Sequence, residues 1–201
     1  MNASSGSLTI ASIVEGEGER DALPVLLRRI AAEVGVKNLV MPKPQRERRG
    51  NITRGGGIEK AVSAAAARVQ GAGGILVLID ADADCPARLG PDLLQRAKAA
   101  QPGARISVVL AMHEFEAWFL AALPSLAGRE RFPKKLSQVR NPEFYQDCKG
   151  ELERFLPNRQ SYRPVPDQKP LASIFDMTMA REHAESFDKF YRDIAWLLGV
   201  G

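Results

Sequence analysis

Gly74-Ile75-Leu76-Val77-Leu78-Ile79 carries no polar side chain and runs straight into Asp80. A run this short and this uniformly apolar is the pattern of a central strand covered on both faces, the situation found in parallel sheets flanked by helices. Leu8–Val14 and Arg105–Ala111 read as two further strands, and Lys37–Met41 as a short one. Between them apolar residues recur at three- and four-residue steps. Leu23, Leu26, Leu27, Ile30 and Val34 predict a helix beginning near Glu19–Asp21, with Pro24 tolerated in its first turn. Ile58, Val62, Ala65, Ala66 and Val69 predict an alanine-rich helix; Pro91–Ala100 and Glu114–Leu123 predict two more. The order βαβαβαβα over residues 8–123 therefore predicts an α/β fold: an open, mainly parallel sheet with helices on both faces and a ligand site at the carboxyl ends of its strands.

The stretch from Pro42 to Gly57 holds two prolines and Gly55-Gly56-Gly57, and reads as a mobile basic loop. After Pro124 the chain turns loop-rich and basic. It ends in a helix over about residues 186–198 whose apolar side carries Phe187, Phe190, Tyr191, Ile194, Leu197 and Leu198. Residues 124–201 are thus expected to form a mostly helical extension packed on the α/β part in one compact unit. With 201 residues, 45% hydrophobic, one core is expected, with no need of disulfides, and the two cysteines make no framework. No apolar stretch reaches about 18 residues, and the start lacks the basic and apolar regions of a signal peptide. The expectation is a cytoplasmic protein with no membrane partner; self-association is left open.

The net charge of +4 says less than its distribution. Lys37, Lys43, Arg46, Arg48, Arg49, Arg54 and Lys60 face only Glu47 and Glu59 in one stretch, whereas Glu15, Glu17, Glu19 and Asp21 crowd another, and Asp80, Asp82 and Asp84 a third. The last two clusters follow predicted strands, so both open on the same edge of the sheet. In an extended segment alternate residues face one way, which lets Asp80 and Asp82 point together. Two carboxylates about 4 Å apart repel by roughly 4 kcal/mol at an effective dielectric of about 20, so three or four together call for a cation or shared protons. Hard oxygen ligands with no Cys or His among them favour Mg²⁺ or Mn²⁺. An Asp-x-Asp after a strand is also ordinary turn chemistry. The second acidic motif, and a third at Glu114 and Glu116, tip the balance toward a site.

Val14-Glu15-Gly16-x-x-Glu19 joined to Asp80-x-Asp82-x-Asp84 resembles the Toprim fold, shared by topoisomerases, bacterial-type primases, recombination-mediator proteins and OLD-family nucleases. The first motif is closest to the Val-Glu-Gly-x-x-Glu of the OLD-type nucleases. Nearly the whole chain also resembles a group of small bacterial Toprim-like proteins often encoded beside an ATPase, through Glu114-Phe115-Glu116-Ala117-Trp118 and a later Tyr162, Lys169, Ser186 and Phe187. The resemblance implies a Mg²⁺- or Mn²⁺-dependent nuclease. Glu15 would be general acid/base or metal ligand, Asp80 and Asp82 would hold the metal, Glu19 and Asp84 would lie at its margin, and Glu116 is a candidate for a second metal. Nucleic acid, DNA in preference to RNA, is the implied substrate, and an ATPase the implied protein partner.

Arg46, Arg48, Arg49 and Arg54 leave the sheet on the same edge and are the candidate track for a phosphate backbone. Other features read as structural. His113 abuts Glu114-x-Glu116 but is a lone His beside a strand end, His183 has no partner in sequence, Gly16-x-Gly18 lacks the third glycine of a dinucleotide fingerprint, and Gly55-Gly56-Gly57 lacks the Lys-Ser/Thr of a P-loop. Trp118 and the last aromatic helix read as core. Tyr162, in a Pro- and Arg-rich segment, either stacks a base or packs locally. Two other classes compete with the nuclease: a non-catalytic effector or regulatory subunit of an ATPase-containing complex, and an Asp-x-Asp phosphatase of the haloacid dehalogenase type. The latter is disfavoured because its acidic pair follows the first strand.

Overall fold

The computed structural model describes residues 7–200. Its α/β part runs β1 (Leu8–Val14), α1 (Glu17–Glu33), β2 (Leu39–Val40), β3 (Gln45–Arg46), α2 (Arg49–Thr53), α3 (Gly57–Ala66), β4 (Ala72–Asp80), α4 (Pro86–Ala100), β5 (Ile106–Ala111) and α5 (Ala117–Ala121). Then follow α6 (Cys148–Arg154), α7 (Pro164–Ile174), α8 (Met177–His183) and α9 (Glu185–Leu197), with short 3₁₀ turns between. The sheet is open and parallel in every pairing, in the order β2-β1-β4-β5, with β3 also on β1.

The period of two along each strand decides which helix it meets. Ala11, Ile13, Ile75, Val77, Ile79, Val108 and Leu110 face α2, α3 and α4 through Ile52, Ile58, Val62, Leu93 and Ala97. Ile10, Val14, Leu76, Leu78 and Val109 face α1 and the C-terminal helices, in one cluster that reaches Phe175, Phe187 and Ile194. Residues before and after Pro124 therefore share a hydrophobic core. Within it Trp118 stacks among Phe115, Phe187 and Phe190 at ring distances of 4.7, 5.1 and 4.9 Å, and its indole N–H donates to Ser186 Oγ at 2.8 Å. The Glu-x-Glu-Ala-Trp segment and the late Ser-Phe pair are two sides of this one contact.

Two local expectations are corrected. Helix α1 starts at Glu17, so Pro24 lies in its interior rather than its first turn. The lost N–H and ring clash cost about 3 kcal/mol. Burial of Leu23, Leu26, Leu27 and Ile30, at roughly 1.5–3 kcal/mol each, outweighs that cost. The stretch after residue 42, expected as a loop, carries regular structure. Leu39 and Val40 pair with the start of β1, Gln45 and Arg46 with its end, so β2 and β3 form one edge strand interrupted around Pro42 and Pro44. Prolines cannot donate to a ladder and are tolerated at such an edge. Glu47 N–H donates to Val14 C=O at 2.9 Å and Ile52 is buried, which ties the segment down. Composition registers the breakers but not the partner strand. Among the described residues no helix is long and apolar enough to cross a membrane.

Candidate metal centre

From β1 the chain crosses to β2 on one side, while β4 lies on the other, so the carboxyl ends of β1 and β4 flank the point where strand order reverses. In open α/β sheets the loops diverge at such a point, which makes it the usual ligand position. Glu15 follows β1 and Asp80 ends the adjacent β4, their places set by the Val14–Leu78 register.

Asp80 has the same parity as Leu76 and Leu78, so its side chain enters the α1 face. Its Oδ1 accepts from Phe115 N–H at 2.8 Å, and its Oδ2 lies 4.0 Å from Lys149 Nζ. Burial first, then the charges of Glu116 and Glu19, push its carboxyl well above the usual aspartate range, against the pull of Lys149. Glu116, wholly buried before α5, accepts at Oε1 from Tyr162 O–H and from Gln168 Nε2, each at 2.8 Å. Gln168 Nε2 also donates to Glu19 Oε1 at 2.8 Å, so one amide group orients two carboxylates. Burial raises Glu116, with Lys149 and these hydrogen bonds opposing; burial likewise raises Glu15, helped by Asp82 and opposed by Arg49.

Lys149 is the cation of this cluster. Its ammonium donates to Glu114 Oε1 at 2.8 Å and stands 3.3 Å from Glu116 Oε2, while its backbone N–H donates to Glu114 Oε2 at 2.9 Å. Those carboxylates push its pKa up despite burial, which works in the opposite sense. The contact with Glu116 is an ion pair without hydrogen-bond geometry, so Glu116 Oε2 is left without a donor. Glu15 Oε2 and Glu19 Oε2 are buried and unpartnered as well.

Asp82 and Asp84 go elsewhere. The expectation that Asp80 and Asp82 point together is corrected: the chain turns after Asp80, and Asp82 takes a left-handed conformation at φ 49°. Its N–H donates to His113 C=O at 3.0 Å, and the His113 ring bonds back to Asp82 C=O at 2.8 Å, so His113 holds the turn. Asp82 and Asp84 are exposed and pair with Arg49, whose Nε stands 3.3 Å from Asp82. Arg49 also donates to the carbonyls of Asp80 and Ala81 at 3.2 Å.

The four arginines of the candidate track are accordingly split. Arg49 clamps the acidic turn. Arg46 donates to Glu15 C=O at 3.1 Å and lies 3.4 Å from Glu17. Arg48 and Arg54 are exposed, and Arg54 C=O accepts from Arg96. Tyr162 packs locally with its hydroxyl on Glu116, so it is not a base-stacking platform. Lys169 is exposed.

The glycines of Glu15-Gly16-Glu17-Gly18-Glu19 make room for this arrangement. A Cβ on Gly16 would stand 2.1 Å from Glu19 Oε2, and one on Gly18 2.0 Å from Gln168 Oε1. Sequence reasoning assigned no role to Gln168, Lys149 or the Arg49 clamp. The only available signals were the Gly-x-Gly spacing, which marks close approach, and the Tyr162 of the C-terminal pattern.

The chemistry of the donors suits a hard divalent cation: the buried carboxylate oxygens of Glu15, Glu19 and Glu116 have no hydrogen-bond donor, and no sulfur or imidazole is among them. Among the described residues no three His, Cys, Asp or Glu side chains stand together as a preformed metal cage. Residues 14–195 match the family model described as a domain of unknown function, DUF4276, which spans all of the residues named in this site. No curated protein and no solved structure matches the chain.

Proposed function

We propose that this chain, which belongs to the DUF4276 family, is a Mg²⁺- or Mn²⁺-dependent phosphodiesterase acting on nucleic acid, built on the Toprim-like plan its motifs resemble. The observation that carries the reading is the set of buried, unpartnered oxygens of Glu15, Glu19 and Glu116 at the switch point. Leaving a buried polar group unsatisfied costs about 1–3 kcal/mol and more when it is charged. Such groups collect where function requires them.

Glu19, Asp80 and Glu116 would hold the cation, with Glu15 beside it and Asp82 and Asp84 at the solvent margin. When bound, it supplies a low-pKa water and neutralises charge on a phosphodiester. Glu15, raised in pKa and only half-buried after β1, would take up the proton of the attacking water. Lys149 balances the inner carboxylates, and Gln168 with Tyr162 holds the Oε1 atoms of Glu19 and Glu116, leaving their Oε2 atoms without a hydrogen-bond donor.

The experiment is hydrolysis of end-labelled single- and double-stranded DNA and RNA with Mg²⁺, Mn²⁺ or EDTA, beside thermal melts. Cleavage that EDTA abolishes is expected. At about 100 times its Kd, either metal should stabilise the fold by about 2.7 kcal/mol. No cleavage and no shift of Tm at millimolar metal would sink the proposal. Gln168→Leu is expected to weaken Mn²⁺ binding about 10–100-fold by titration calorimetry, the usual cost of losing an orienting partner. Unchanged affinity would remove Gln168 from that role. One observation favours the second reading, a non-catalytic subunit of an ATPase-containing complex: Lys149 already places a positive charge among the carboxylates. That reading expects no metal effect on Tm.

A further inference from the structure

We propose that the cleft between β3–α2 and the first turns of α1 is the seat for the phosphates of a nucleic-acid strand, next to the carboxylate cluster. The inference rests on the phosphodiesterase reading and places the substrate's backbone within it. The cleft has a volume of about 690 Å³ and is lined by five cations, Arg20, Lys43, Arg46, Arg48 and Arg68, against the carboxylates of Glu17 and Glu47.

These cations come from three separate parts of the chain: α1, the edge around β3, and the turn after α3. Their own partners use up little of the charge. Arg20 and Arg46 share Glu17, at 3.1 and 3.4 Å. Arg68 donates to Lys43 C=O at 2.6 Å, and Glu47 is occupied by Gln45 Nε2 at 3.0 Å. Among the described residues the side chains of Lys43 and Arg48 make no hydrogen bond or ion pair, and Arg20 Nε is buried with no acceptor. Like charges gathered in one cleft repel one another and attract a multivalent anion.

The cleft also touches the site. Arg46, one of its walls, donates to Glu15 C=O at 3.1 Å, so a phosphate held here is a near neighbour of one presented to the Glu15 carboxylate. Five cations spread along an open cleft suit successive phosphates of a strand better than a single phosphate, which engages one or two of them. Arg49 and Arg54 take no part in this lining, whereas Arg20 and Arg68 enter it through tertiary structure alone.

The test is anisotropy of a labelled single-stranded oligonucleotide in EDTA, titrated at several salt concentrations, with the Lys43→Ala/Arg48→Ala double variant. Both residues are exposed, and Arg88→Ala, exposed on α4, is the control. The double variant should bind at least about tenfold more weakly, and the slope of log K on log salt should flatten by up to about 0.7 per lost contact. The control should match the wild type. Overturning results are no binding by the wild type at low salt, an unaltered slope in the double variant, or equal competition by inorganic phosphate or a mononucleotide at the oligonucleotide's own Kd. The last would assign the cleft to a small phosphate compound. Binding is read without metal, so the two ideas fail separately. Binding with the expected variant effect but no hydrolysis refutes the phosphodiesterase, and hydrolysis with no variant effect refutes the cleft.

Discussion

Glu15→Gln and Asp80→Asn should each lower hydrolysis at saturating metal by about 10²–10⁴-fold, the range expected when a group that moves a proton or fixes the reacting geometry is neutralised. Oligonucleotide binding in EDTA should stay close to wild type, since the cations that supply most of that affinity lie elsewhere. Asn at position 80 keeps an Oδ1 to accept from Phe115 N–H, so the loss would not reflect a broken fold. Asp82→Asn should cost much less than Asp80→Asn, because Asp82 is exposed and turned toward Arg49. Initial rates on one substrate decide the matter. Activity that survives in both inner variants would mean that these carboxylates are not the catalytic group.

Lys149→Met should destabilise the metal-free protein by about 2–4 kcal/mol in urea unfolding. Removing one partner of a buried pair costs about 3–5 kcal/mol, and the estimate is reduced because a third of the lysine side chain is exposed. Saturating Mg²⁺ or Mn²⁺ should recover much of the loss, giving the variant a larger metal-induced shift than the wild type. The deficit should also depend on pH. Glu15, Asp80 and Glu116 have carboxyl groups raised above their ordinary values, so the folded state holds protons that the unfolded chain releases. Their contribution to stability is fully present below the unfolded carboxylate range and is lost as pH rises through the raised values. The variant should accordingly be closest to wild type under mildly acid conditions and furthest above neutrality. A deficit independent of both metal and pH would show that Lys149 contributes packing alone.

Much of the fold is legible in the sequence, because its signals are local. The apolar run before Asp80 and the run Leu8–Val14 are strands for the reason their composition suggests: both faces are covered. Helices α1, α3, α4 and α9 follow their three- and four-residue periods. Helices α6, α7 and α8 were not placed from sequence. They are short, and α7 contains Pro164, Pro166 and Pro170, which read as breakers. Edge strand β3 was missed because two residues carry no periodicity; only pairing with Ile13 and Val14 makes them a strand.

For the site, local pattern puts Glu15 and Asp80 each at the end of a strand, and the alternation of strands and helices predicts that both open on one edge; only the pairing of β1 with β4 makes the two strands neighbours. It could not determine which carboxylates share one environment. That was decided by α6, α7 and the segment between them packing against the α/β part: Lys149 meets Glu114 across 35 positions, Tyr162 meets Glu116 across 46, and Gln168 reaches Glu116 across 52 and Glu19 across 149. No period links residues that far apart. The turn at Asp82 likewise separates it from Asp80, because a left-handed residue held by His113 interrupts the alternation that an extended chain would impose. Local pattern sets where the chain runs straight and where it bends; charge pairing across the core depends on what the remaining chain brings to that point in space.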